Sequence, residues 1–110
     1  MSTLKTNTIK NTDDVEMYLA KAWVNFNGTG TVAIRAAGNV SSITDNGTGD
    51  YSVNFTTAMP DANYAVSVAF GTTLGSINTN SLAGNGFRIE TYNSTGSSVD
   101  RSVVLSSVFR

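Results

Sequence analysis

Asp45-Asn46-Gly47-Thr48-Gly49-Asp50 is the densest group of metal-capable oxygens in this 110-residue chain. A calcium loop of the EF-hand kind needs oxygen ligands at alternate positions and a distal glutamate. That spacing is missing. A β-turn in which Asp and Asn side chains bond their own backbone accounts better for the run. Gly28 with Gly30, and Gly47 with Gly49, form two G-x-G pieces. A phosphate cradle requires such glycines to open a helix, and neither pair does. Glycoside cleavage needs two carboxyl groups flanking one bond. Of the eight Asp and Glu residues, Asp45, Asp50, Asp61, Glu90 and Asp100 fall singly in loops or at strand ends. They read as solvated or turn-capping groups, so no catalytic residue, metal or cofactor is expected.

Cys and His are both absent. Disulfides, thiolate metal sites, the commonest general base and the usual near-neutral pH switch therefore go together. Five N-x-[S/T] sequons occur, at Asn27, Asn39, Asn46, Asn54 and Asn93, yet a chain with 12 Asn, 13 Ser and 15 Thr generates several by chance. Aromatic side chains are the remaining candidates for ligand contact. Tyr51, Tyr64, Phe55, Phe70 and Phe87 fall on apolar faces and read as core. Trp23 and Tyr92 lie on the opposite parity of their strands, which marks them as exposed, for a ligand or for a subunit interface.

The elements that must position these groups are strands. Charged residues make up only 14% of the chain, where about a quarter is usual, and neutral Ser, Thr and Asn supply the polarity. Seven Lys and Arg against eight Asp and Glu leave a net charge of −1 with no basic stripe, which argues against a nucleic-acid partner. No run of about 18 apolar residues is present for membrane insertion, and Met1-Ser2-Thr3-Leu4-Lys5 lacks the apolar stretch of a signal peptide. Period-two alternation recurs in Ala22-Val24-Phe26, Val32-Ile34, Val40 to Thr44, Tyr51-Val53-Phe55, Tyr64-Val66-Val68-Phe70, Phe87-Ile89 and Val103-Leu105-Phe109. Turn residues separate these runs, as in Asn27-Gly28-Thr29-Gly30. The pattern predicts an all-β, antiparallel β-sandwich of about seven strands, jelly-roll-like or Ig-like. Residues 1–20 form a separate segment for assembly or attachment. Within it Asp13 to Leu19 fits a short helix, with Asp13 and Glu16 as a capping box, and a strand equally well. Residues 71–86 show no strong pattern and read as a long loop or a weak edge hairpin.

Several stretches carry a family likeness. They are Lys21-Ala22-Trp23-Val24-Asn25-Phe26-Asn27-Gly28-Thr29-Gly30, Val32-Ala33-Ile34-Arg35, Asn39 to Tyr51, and Val53 to Tyr64 through Ala58-Met59-Pro60-Asp61-Ala62-Asn63. Together they resemble the C-terminal domain of tail fibre proteins of tailed bacteriophages, especially phages of aquatic bacteria. Ser102 to Arg110 resembles that family's closing strand, and Ser2 to Ile9 is similar to the start of short phage fibre proteins. The resemblance implies a virion protein, a homotrimer at or near a fibre tip, whose partners are itself, a host-cell surface glycan or protein, and other virion tail proteins. It implies no binding residues. The expected function is non-enzymatic host recognition. A structural trimerisation or capping domain is the alternative, and a glycan depolymerase a more distant one.

Long polar loops commonly carry function. The receptor-contact candidates are therefore Thr72, Thr73, Ser76, Asn78, Thr79, Asn80 and Asn85, with Ser81 beside them. Tyr92 and the polar stretch Asn93 to Asp100 are expected to join them.

Overall fold

A computed structural model describes residues 8–71 and 74–110. In chain order the strands are β1 (Ile9–Lys10), β2 (Glu16–Met17), β3 (Ala22–Asn27), β4 (Ala33–Gly38), β5 (Val40–Gly47), β6 (Asp50–Phe55), β7 (Ala65–Phe70), β8 (Gly75–Ala83), β9 (Gly86–Asn93) and β10 (Val104–Phe109). No helix occurs among the described residues. Two antiparallel four-stranded sheets, ordered β4-β3-β10-β7 and β5-β6-β9-β8, make the expected all-β sandwich. Among the described residues β1 and β2 pair only with each other, so the segment that fitted helix and strand equally is a two-stranded arm.

Alternation builds the core. Ala22, Val24 and Phe26 of β3 face inward from one sheet. Tyr51, Val53 and Phe55 of β6, with Phe87 and Ile89 of β9, meet them from the other. Phe26 and Tyr51 touch edge to face, with ring centroids 5.2 Å apart, an arrangement that aromatic quadrupoles favour. Asn39 carries the chain from β4 to β5, and so from one sheet to the other, in a left-handed conformation (φ 55°). Its side chain holds the crossing by donating to Lys21 O and Thr57 O and accepting from Thr57 N–H.

Two expectations need correction. The first concerns β10. Val104, Ser106 and Val108 point into the core, while Leu105 and Phe109 point out. Both faces of this strand carry apolar residues, so composition does not choose between them. Register does: Val104 sits opposite Phe26 and Val108 opposite Ala22, and antiparallel partners share a face. The second concerns residues 71–86, where the loop reading fails and the edge hairpin holds. β8 is an eighth sandwich strand, paired along its length with β9. Its alternation is hidden because Ser81, at φ 52°, lies within a bulge between Asn80 and Ala83. Ile77 and Thr79 face in on one phase, and the bulge shifts the phase so that Leu82 packs against the core after them.

Candidate functional site

The outer face of the β5-β6-β9-β8 sheet is polar across all four strands. Register sets it out in rows. Thr44, Ser52, Arg88 and Asn80 lie side by side, and Asp50, Glu90 and Asn78 form the next row. Ser76 and Tyr92 follow at one end, Ser42 and Asn54 at the other. The same alternation that buries Tyr51, Val53, Ile89 and Thr91 puts these residues outward.

The groups on the face hold one another. Arg88 forks onto Asp50, with Nε donating to Oδ1 at 3.2 Å and the second nitrogen on Oδ2. This guanidinium, foremost, holds the Asp50 carboxyl below the usual carboxylate range, against the opposing effect of burial. Asn46 donates to Ser52 Oγ at 2.8 Å and to Asp50 Oδ1 at 3.3 Å. Asn54 donates to Thr44 Oγ1 and Ser42 Oγ, at 3.0 and 3.1 Å. Glu90 accepts from Asn80 Nδ2 and, at 2.7 Å, from the Tyr92 hydroxyl. Asn80 Oδ1 is buried and has no hydrogen-bond partner. The result is a pre-ordered array of amides, hydroxyls and carboxylates with one aromatic ring at its end.

Gly86 sits opposite Asn54 and adds no side chain to the surface. A shallow depression of about 270 Å³ opens there, lined by Ser52, Asn54, Ser81, Asn85 and Arg88. At the other end the backbone is pinned from below. Arg101, 5% exposed, stacks 4.7 Å from the Phe70 ring centre and donates to Tyr92 O at 2.8 Å and Leu74 O at 3.1 Å. Residues 93–98 turn back, bridging Ser98 to Tyr92, and the Asn93 carboxamide closes that turn by accepting from Thr95 and Ser97. The hairpin turn between β8 and β9 is fixed by the Tyr64 hydroxyl, which lies 2.7 Å from Ala83 O and 2.8 Å from Gly86 O.

Ser76, Asn78, Asn80 and Tyr92 are thus brought onto one face, and Asn85 borders its depression. Thr79 is not part of it: opposite Ile89, its side chain faces the interior. Thr72 and Thr73 lie outside the described residues. Sequence reasoning missed Asp50, Ser52, Asn54, Arg88 and Glu90, although the signal was present as the polar parity of β6 and β9. It also separated Asp50 from Glu90, which stand directly opposite each other across β6 and β9. An acid–base pair needs one carboxyl that keeps its proton at neutral pH. Arg88 drives Asp50 the other way. Asp45 and Asp100 act as turn ligands: Asp45 accepts from Gly47 N–H, and Asp100 from Gly49 N–H at 2.7 Å. No cluster of three or more metal-capable side chains occurs among the described residues. Trp23 does lie on an outer surface, 43% exposed, but on the other sheet.

No family model, curated protein or solved structure matches the chain.

Proposed function

We propose that this chain is a receptor-binding tip domain of a phage tail fibre, non-enzymatic and located in the virion, that recognises a host-cell surface glycan with its polar sheet face. The observation that carries the reading is the continuous row structure from Ser42 to Tyr92, rich in neutral donors and acceptors and closed by an aromatic ring. Glycans present hydroxyls for the first and C–H faces for the second. A shallow face of this kind gives weak single-site affinity. Repetition in a homotrimer multiplies it through effective concentration. The resemblance of Lys21 to Tyr64 to tail fibre C-terminal domains supports the virion setting and the trimer.

The alternative, a structural trimerisation or capping domain, draws support from the apolar outer face of the opposite sheet, described below. One experiment separates the two. Asn78→Ala combined with Tyr92→Ala removes outward side chains without touching the core, so the melting temperature should stay within a few degrees. Loss of host-cell adsorption and of glycan-array signal at unchanged stability supports recognition by this face. Full adsorption by the double variant refutes it.

A further inference from the structure

The outer face of the β4-β3-β10-β7 sheet has a different chemistry. Trp23, Leu105 and Phe109 stand exposed on it, and Ala36, Gly38, Ala65, Ser67, Ala69 and Ser107 fill the positions between. The Trp23 indole covers Gly38, its cross-strand partner, where any Cβ would overlap the ring. Between Trp23 and Leu105 the small residues leave a trough of about 410 Å³. None of these positions carries a carboxylate. The charge nearby is Arg35, whose guanidinium donates to Ser102 O at 2.6 Å and reaches Asn25 Oδ1 on this face at 3.4 Å.

The arm is complementary. Val15, Met17, Tyr18 and Leu19 are all exposed, Tyr18 by 77%. A two-stranded ribbon of this size is marginal alone and needs a surface to lie on. The arm bears Asp13, Asp14 and Glu16 among its described residues; Lys10 pairs with Asp14 at 3.3 Å, which leaves Asp13 and Glu16 as its excess negative charge. It is therefore apolar and acidic, whereas the sheet face is apolar with a cation at one end. The two surfaces adjoin at a groove of about 840 Å³, lined among others by Met17, Leu19, Ala65 and Phe109, which the described residues leave unfilled.

We infer that the outer face of the β4-β3-β10-β7 sheet is covered by a second copy of this chain, whose arm, residues 13–19, lies along the Trp23–Leu105 trough with its acidic turn against Arg35. The inference rests on the self-association part of the proposed function and names its surface. It leaves the opposite, polar face free in the assembly.

Trp23 is the sole tryptophan and reports on the surface directly. The full chain is followed by light scattering and by acrylamide quenching of Trp23 across a dilution series. Assembly should shield Trp23 and dilution should expose it. Met17→Asp with Leu19→Asp, outside the sandwich, and Leu105→Asp, on the face, should each raise the dissociation constant at least tenfold at an intact fold. Arg35→Glu, and Asp13→Lys with Asp14→Lys, should each weaken assembly, and their combination should recover it. An oligomer that ignores these variants, with Trp23 always open to quencher, overturns this surface while self-association stands. A monomer at every concentration overturns both, including one that takes up a different protein at Trp23. Glycan adsorption is judged separately by the Asn78 and Tyr92 variants.

Discussion

The two outward faces of the sandwich are built by the same alternation and end with opposite chemistries. On β5-β6-β9-β8 the outward positions are Asn, Ser, Thr, Asp, Glu and Arg, with Tyr92 at one end, tied to one another by hydrogen bonds. On β4-β3-β10-β7 they are Trp23, Leu105, Phe109, Asn25, Gly38, Ala and Ser, and Arg35 reaches Asn25 Oδ1 at one end. A hydrogen-bonded polar face remains stable in water and offers directional contacts to hydroxyls. A largely apolar face with an exposed indole and the Arg35 cation at one end gains by being covered, at roughly 25 cal/mol per Å² of apolar surface removed from water. The chain's low charge thus has two separate consequences: one face is easily desolvated, and the other is rich in neutral polar groups.

The sharpest test of this division is to set either face against the interior between them. Phe26 is fully buried and packs on Tyr51. Phe26→Ala should cost about 3–5 kcal/mol in urea unfolding, from lost transfer energy and a residual cavity. Ser52→Ala on the polar face should stay near 0.5 kcal/mol or below. Equal losses at the two sites would dissolve the distinction between core and face.

β10 provides the next comparison, within a single strand. Val104 is buried and its neighbour Leu105 is 37% exposed. Val104→Ala should cost about 2 kcal/mol. Leu105→Ser should cost the isolated subunit less than about 1 kcal/mol, although it removes a larger side chain. The reverse order, read from denaturation midpoints at concentrations low enough to hold a monomer, would restore the facing that sequence alone suggested.

How much was legible follows from these particulars. Where one face is cleanly polar, as in Tyr51-Ser52-Val53-Asn54-Phe55, period two gave strand, facing and core at once. Where both faces carry apolar groups, as in β10, only register against β3 decides, and register is a property of two strands. In β8 the bulge at Ser81 broke the period, so the strand showed in the sequence only as a long loop or a weak edge hairpin. The candidate site was half visible for a related reason. Ser76, Asn78, Asn80, Asn85 and Tyr92 stood out as polar or off-parity residues in one stretch of chain. Asp50, Ser52, Asn54, Arg88 and Glu90 join them only through pairings of residues tens of positions apart.

A buried hydroxyl gives a smaller effect that depends on pH. Tyr51 is fully buried, its hydroxyl 2.9 Å from Gly28 O and 3.1 Å from Asp100 Oδ1, and it accepts from Arg101 N–H at 3.4 Å. Tyr51→Phe should cost roughly 1–2 kcal/mol at pH 7, because Gly28 and Arg101 lose a buried partner. Burial, first of all, pushes the Tyr51 hydroxyl up from 10.0 to about 12. The folded state therefore holds this proton more tightly than the unfolded chain. The associated stability is complete below pH 10 and is lost as pH rises toward 12, by at most about 1.4 kcal/mol per pH unit. The gap between wild type and Tyr51→Phe should accordingly narrow between pH 10 and 12 in unfolding experiments. A constant gap would mean that the hydroxyl is not sealed in the core.

The smallest expected effect lies at the arm end of the sandwich. Asp61 pairs with Arg110 through two contacts, at 3.0 and 2.8 Å, and accepts from Asn63 N–H at 2.8 Å. Arg110, ahead of that backbone bond, lowers its carboxyl from 3.8 to about 2. A carboxyl depressed in the folded state favours folding above its unfolded value, and that contribution fades as pH falls from 3.8 toward 2. Both partners are well exposed, so solvent and salt screen the pair. Asp61→Asn should leave the melting temperature nearly unchanged from pH 5 to 8 in 0.15 M salt. It should flatten only a shallow part of the decline below pH 4. Asp50, held low by Arg88 on the polar face, should contribute more to that acid decline, since its side chain is 25% exposed against 39% for Asp61 and is screened less by solvent. Thermal melts of Asp50→Asn and Asp61→Asn from pH 2 to 6 rank the two. An Asp61 effect larger than the Asp50 effect would show that the hydrogen-bonded polar face is no better ordered than the exposed end of the molecule.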